Sequence, residues 1–207
     1  MPASRLASAS LSRYNVIIIA GNPGMTPAAV ERVREWNRAG GTIIAYKDGN
    51  RWVSANKFAE IDFIENAALP EGGDKRYIDR SKERALHQIP GSIFEARLDL
   101  THPLCYGYSK PLLPVFKSEV TAVRVNGNPY GNPVKHTAAP LLSGYCTPEN
   151  IERIKNSAFI SVHASPGRVI SIYDDTNFRA IWFGTSKLFV NAVFFGQILR
   201  QESRYDQ

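Results

Sequence analysis

Two short runs decide the fold: YNVIIIAG at residues 14–21 and TIIAY at residues 42–46. Both are dominated by β-branched side chains with no polar alternation. A strand apolar at successive positions must bury both faces, as strands do in a parallel sheet covered by helices. Between them, NPGMTPAAVERVREWNRAGG carries the marks of a helix. Thr26 is placed to cap it, and Pro27 takes the first position, where its missing N–H costs nothing. Val30, Val33 and Trp36 recur every three residues, and Gly40-Gly41 end the helix. Strand, helix and strand within about 33 residues form a right-handed βαβ unit.

Further along, residues 66–92 are polar, charged and broken by Gly and Pro, which predicts a surface excursion or short helix. Residues 93–100, IFEARLDL, alternate like a half-exposed strand, and 120–127, VTAVRVNG, read similarly before the turn-rich NGNPYGNP. Residues 139–145 are a further candidate strand. Thr147-Pro148-Glu149 opens a short helix over TPENIERIKN. AFISVHAS and GRVISIYD read as a hairpin turning at Pro166-Gly167, and 186–201 is a strongly apolar closing helix laid on the sheet. The expected fold is a three-layer α/β/α sandwich with a mixed, flavodoxin-like sheet. It forms a single domain over 14–201, with an N-terminal extension at 1–13 and a tail at 202–207.

Composition narrows the function. Hydrophobic residues at 43% and charged residues at 21% allow an ordinary core. The net charge of +6 comes from Lys and Arg scattered singly, without the concentrated basic face that phosphate binding needs, so nucleic acid is not the expected partner. No apolar run reaches the roughly 18 residues that span a bilayer, so no membrane partner is expected, and the start of the chain has no hydrophobic segment of signal-peptide length. Because the chain enters a strand almost at once, it reads as cut from something longer.

Taken together, several motifs resemble a known family. YNVIIIAG with VREWNRAGGTIIAY is similar to the opening of class I glutamine amidotransferase-like domains. IPGSIFEARLDLTHPLCYGY, LLSGY with PENIERI, and GRVISIYDDTNFRAIWFGTSKLFVNAVFF resemble the version of that domain found behind the catalytic domain of secreted bacterial zinc carboxypeptidases. The likeness spans roughly residues 14–197. It implies an accessory domain with a structural or ligand-binding role, joined to an N-terminal peptidase domain in a periplasmic or extracellular parent. Zinc is then expected only in that parent's catalytic domain, with no cofactor in this chain.

Neither parent chemistry carries over. The amidotransferase fold places a nucleophilic cysteine on a sharp strand-to-helix turn, whereas the turn after TIIAY here reads Lys47-Asp48-Gly49-Asn50, with Ser54 a few residues on. The peptidase needs an H-x-x-E zinc motif, and none of His87, His102, His136 or His163 begins one.

The remaining candidates each have a packing alternative. Cys105 lies three residues after His102, but His102 precedes a proline, and an extended chain would send the two side chains to opposite faces. A buried thiol, with His102 and Tyr108 in structural hydrogen bonds, is the competing reading. Cys146 precedes a helix start, where a thiol pKa is lowered, and is the better nucleophile for a degenerate thiol hydrolase. No C-x-x-C pair exists, and a Cys105–Cys146 disulfide stays open. Asp174, Asp175, Asn177 and Arg179 follow a strand end, where ligands bind in open α/β sheets. They read as a small-molecule, sugar or peptide pocket or a calcium-like carboxylate cluster, or else as a turn with Arg179 paired to an Asp. Thr185 or Ser186 could cap the last helix and leave N–H groups for an anion. Tyr130 sits on the Gly/Asn/Pro loop as a further possible contact.

Overall fold

In the computed structural model, which describes residues 3–66, 76–165 and 167–199, the two opening runs pair side by side. Strand β1 (Val16–Ile19) lies parallel to β2 (Thr42–Tyr46), joined by α1 (Pro27–Arg38). The α1 start forms as its residues dictate: the Thr26 hydroxyl accepts from the Ala29 N–H at 3.3 Å, with Pro27 at the first position. The remaining elements are α2 (Gly49–Ala55), β3 (Phe63–Ile64), α3 (Arg80–Leu86), β4 (Ser92–Leu98), β5 (Leu112–Lys117), β6 (Ala122–Val123) and β7 (Val134–Ser143). They are followed by α4 (Pro148–Ile154), β8 (Ala158–Ser165), β9 (Gly167–Ile172) and α5 (Phe183–Phe195).

Seven strands form one mixed sheet in the order β1-β2-β9-β8-β7-β4-β5, while β3 and β6 pair separately. The pairs among β1, β2 and β9 are parallel, and every pair beyond β9 is antiparallel. Alternation along β2 splits the core: Ile43 and Ala45 pack with Val33 of α1 and Val53 of α2, while Ile44 packs with Phe94, Phe159, Ile170 and Leu188 of α5. This is the expected α/β/α sandwich. The ladder directions bring the ends of β2, β9, β7 and β5 to one edge of the sheet.

Several boundaries differ from expectation. β1 is an edge strand, so Ile18 is half-exposed instead of buried on both faces. An apolar run shows that a strand packs well, but its rank in the sheet depends on distant pairings. Only Ala122–Val123 of 120–127 is strand, and β7 begins five residues before the expected 139 because Val134 and Lys135 pair with both neighbours. The last helix starts at Phe183 and ends at Phe195, followed by a 3-10 turn over Gly196–Ile198; residues 200 and 201 of the expected span lie outside the described residues. In the surface excursion α3 is the short helix; residues 67–75, the hairpin's Pro166 and the tail at 202–207 lie outside the described residues. Ahead of β1, Leu6 and Leu11 are buried in the α1-side core.

Candidate functional site

The turn after β2 has the shape of a nucleophile elbow, with a lysine where the nucleophile would stand. Lys47 adopts a left-handed backbone (φ 49°) between β2 and α2, costly for any residue with a β-carbon. Fully buried Ala45 stands two positions before it and Gly49 two after. A β-carbon at Gly49 would run into the Ile19 carbonyl oxygen, which is why glycine is required there. The Lys47 N–H donates to the Ile172 carbonyl at 2.9 Å. The buried Asn50 amide donates to Lys47 O at 2.9 Å and Ile172 O at 2.8 Å, tying the elbow to the end of β9. The small-x-Lys-x-small spacing of AYKDG was the readable signal for this turn.

The Lys47 ammonium meets the Glu119 carboxylate at 2.6 Å, both about a third exposed or less. Burial pulls the Lys47 pKa down, but the hydrogen bond and charge of Glu119 more than reverse it, leaving it raised. The amine is therefore held protonated and has no free pair for nucleophilic attack. Beside it the Tyr46 hydroxyl donates to Asp175 Oδ1 at 2.6 Å. Burial and that bond raise the phenol's pKa.

Deeper at the same sheet edge lies a second pair. Lys117 Nζ, at the end of β5, donates to Asp174 Oδ1 at 2.7 Å and Oδ2 at 2.9 Å, and to the Thr121 carbonyl at 2.7 Å. The side chains are 1% and 2% exposed. Desolvation raises the Asp174 pKa against the opposing Lys117 charge. His136 Nε2 stands 3.9 Å from Asp174 Oδ2 without a hydrogen bond. Burial, then the Lys117 charge, push this imidazole down to about 3. It is neutral at physiological pH, so no ion pair joins it to Asp174.

The Asp174–Arg179 segment thus separates into distinct roles. Asp174 is consumed by Lys117. Asp175 Oδ1 accepts from Tyr46 and from the Asn177 N–H at 2.9 Å, an Asx turn. Arg179 has φ 48° and lies over the Phe178 ring, 5.1 Å from its centroid, and does not pair with Asp174 or Asp175. Among the described residues no three His, Cys, Asp or Glu side chains gather as a cation site. Thr185 does not cap α5: Trp182 holds that position, and the buried Thr185 hydroxyl donates to Thr176 O at 2.7 Å.

Neither cysteine is set up as a nucleophile. His102 caps and Cys105 ends a 3-10 turn (Pro103–Cys105), so the chain between them is not extended. His102 Nδ1 accepts from the Leu104 N–H at 3.2 Å, and its pKa is lowered by burial. Cys105 is fully buried, its S–H donates weakly to Pro133 O at 3.7 Å, and burial pushes it up to about 12. Cys146 precedes the Thr147 cap of α4, yet its thiol is buried and raised. Desolvation outweighs the Lys117 and Arg153 charges, so the expected lowering at a helix start does not occur. The two thiols are free, with no disulfide. Tyr108 donates to Gly184 O at 2.7 Å, and the buried Asn191 amide donates to Leu104 O and Tyr106 O at 2.9 Å each, so the THPLCYGY turn is a packed brace for α5.

One opening lies at this edge and another away from it. The first, of about 500 Å³, is lined by Asp48 of the elbow together with His87, Gln88, Ser118, Glu119 and Thr121. A larger cavity of about 830 Å³ lies apart from the elbow between the 57–62 and 123–128 segments, with Ser54 and His163 in its lining. Tyr130 belongs to the loop beside that second cavity and is well exposed. Sequence reasoning missed Lys117 and Glu119; an isolated lysine closing the apolar run LLPVF was the only local sign.

No protein-family model and no curated protein matches the sequence. Among solved structures, a ThuA-like protein from Parabacteroides merdae ATCC 43184 superposes with a TM-score of 0.59 at 12% identity, covering 100% of this chain and 78% of that one. A ThuA-like protein from Bacteroides uniformis ATCC 8492 gives 0.54 at 12% identity, over 97% and 74%. Likenesses at this identity establish the glutamine amidotransferase-like fold alone; the narrower likeness to a carboxypeptidase-associated domain rests on the sequence motifs.

Proposed function

We propose that this chain is a non-catalytic module on a glutamine amidotransferase-like fold, serving as an accessory domain beside a zinc carboxypeptidase-type catalytic domain. The observation that carries the non-catalytic part is Lys47 at the elbow position with its ammonium held by Glu119. A protonated lysine can neither form a thioester nor act as an amine nucleophile. Burial of both cysteines removes the basis for a thiol hydrolase. The opening of about 500 Å³ beside the elbow, with both polar and apolar lining, would take a small sugar or peptide, with Glu119 and Asp48 as hydrogen-bond acceptors.

The purified chain should hydrolyse neither glutamine nor peptides, and iodoacetamide at neutral pH should label neither thiol until the protein is denatured. Turnover abolished by alkylation would overturn the non-catalytic reading. The accessory role is tested separately by the mass of the native polypeptide in its source cells. A band much larger than 23.0 kDa supports it, and a band at 23.0 kDa overturns it.

A further inference from the structure

Helix α5 is strongly apolar without one dominant apolar face, a composition found where a helix is covered on several sides. One side is accounted for. Leu188 and Ala192 enter the core, and Thr185 and Asn191 are buried and bonded. The other side is not. Phe183, Lys187, Val190 and Phe194 follow one another at four-, three- and four-residue steps, which places them on one outward stripe. Phe183 is 77% exposed and Phe194 72%. Ile181 before the helix, Ile198 after it and Tyr106, in edge contact with Phe195, widen the stripe into a patch.

We propose that this patch is where a second copy of the chain docks, α5 against α5 across a two-fold axis. Its apolar character argues for a copy over a different partner. The one charged residue in the stripe, Lys187, donates to Gly107 O at 2.8 Å and lies over the Tyr108 ring, 5.0 Å from its centroid. Those two contacts draw the ammonium to the Tyr108 side of the stripe, where it keeps its charge and stays in water. The rest of the patch is apolar and so can pair with itself, and self-association makes the more apolar interfaces, whereas contacts between domains of one chain are more polar. The area also fits. With an aromatic side chain carrying about 150–250 Å², the six exposed apolar side chains offer on the order of 600 Å². That approaches the roughly 800 Å² per partner of a stable interface and reaches the upper end of the largest apolar patch a monomer usually leaves open. The docking is independent of the accessory-domain reading and uses no residue of the elbow.

Sedimentation velocity of the full chain at about 1–100 µM should show a species of twice 23.0 kDa. Phe194→Glu should weaken self-association on the order of 100-fold, because a two-fold interface loses the residue twice. An unchanged far-UV spectrum and melting temperature would show that the exposed substitution leaves the fold intact. In Val190→Cys the new thiol is the accessible one, since Cys105 and Cys146 are buried. Mild oxidation should therefore yield a covalent dimer in that variant and none in the parent. A monomer across the whole range would overturn the proposal, whether or not the protein then binds vesicles. So would a dimer untouched by Phe194→Glu, which would move the interface elsewhere, the open edge of β1 included.

Discussion

Two lysine–carboxylate pairs stand at the same edge of the sheet, and they do different work. Lys117–Asp174 is sealed, with side chains 1% and 2% exposed, and it ties the end of β5 to the segment after β9. Lys47–Glu119 is shorter, at 2.6 Å, but its side chains are 27% and 32% exposed. Distance alone would rank the second pair above the first. Burial reverses the ranking. Water screens the outer pair, whose worth falls in the range of about 0–1 kcal/mol. The inner pair has no water to replace a lost partner, so breaking it leaves an uncompensated charge in the core. The outer pair holds a side chain at the elbow, and the inner pair holds the edge on which the elbow sits.

The strongest test of that contrast breaks the inner pair. Asp174→Ala should cost about 3–5 kcal/mol, read as a lowered urea midpoint at unchanged slope. Replacing both partners, Lys117→Met with Asp174→Leu, should recover most of the loss, because an apolar pair of similar volume leaves no charge behind. If Asp174→Ala costs no more than a surface pair would, burial is not what separates the two sites.

A second, smaller effect comes from the histidines. His136, beside Asp174, is pushed down to about 3, and His163, in the other cavity, to about 4, in each case first by burial. The unfolded chain binds a proton at each near pH 6.5, whereas the folded chain refuses it until those lower values. Their contribution to stability is therefore complete above pH 6.5 and is lost as pH falls, down to about 4 for His163 and about 3 for His136. The slope is about 1.4 kcal/mol per pH unit for each residue fully in its window. Urea titrations between pH 7 and 5 should show it, and His163→Gln should remove about half. A flat profile would mean that both imidazoles take up protons in the folded state.

How much of this was legible in the sequence depends on how local each signal is. The βαβ opening could be read because Thr26, Pro27 and Gly40-Gly41 mark the helix within a few residues of where they act. The lysine at the turn after β2 could be read, since AYKDG shows it directly. Pairing across the fold could not. Asp174 stands 57 positions from Lys117, and nothing near DDTNFR indicates that its first aspartate faces a buried lysine while its second serves Tyr46. Cys146 was placed correctly before a helix cap, but its burial, which reverses the pKa argument, comes from packing that no window of sequence contains. The edge position of β1 was hidden for the same reason.

The finest distinction concerns the elbow itself. Lys47 combines a backbone conformation that costs a residue with a β-carbon about 1–2 kcal/mol with an ion pair worth at most about 1 kcal/mol. Lys47→Ala removes the pair and keeps the strained backbone, so it should destabilise by up to about 1 kcal/mol. Lys47→Gly also removes the pair, but it relieves the strain, and the added freedom of the unfolded chain takes back about 0.5–1 kcal/mol of that gain. The glycine variant should therefore melt above the alanine variant, by an amount equivalent to about 0.5–1 kcal/mol in a calorimetric scan. Should alanine prove as stable as glycine, the left-handed turn at residue 47 carries no strain. The elbow would then be held by Asn50, Gly49 and the Ile172 carbonyl without any demand on the residue at its tip.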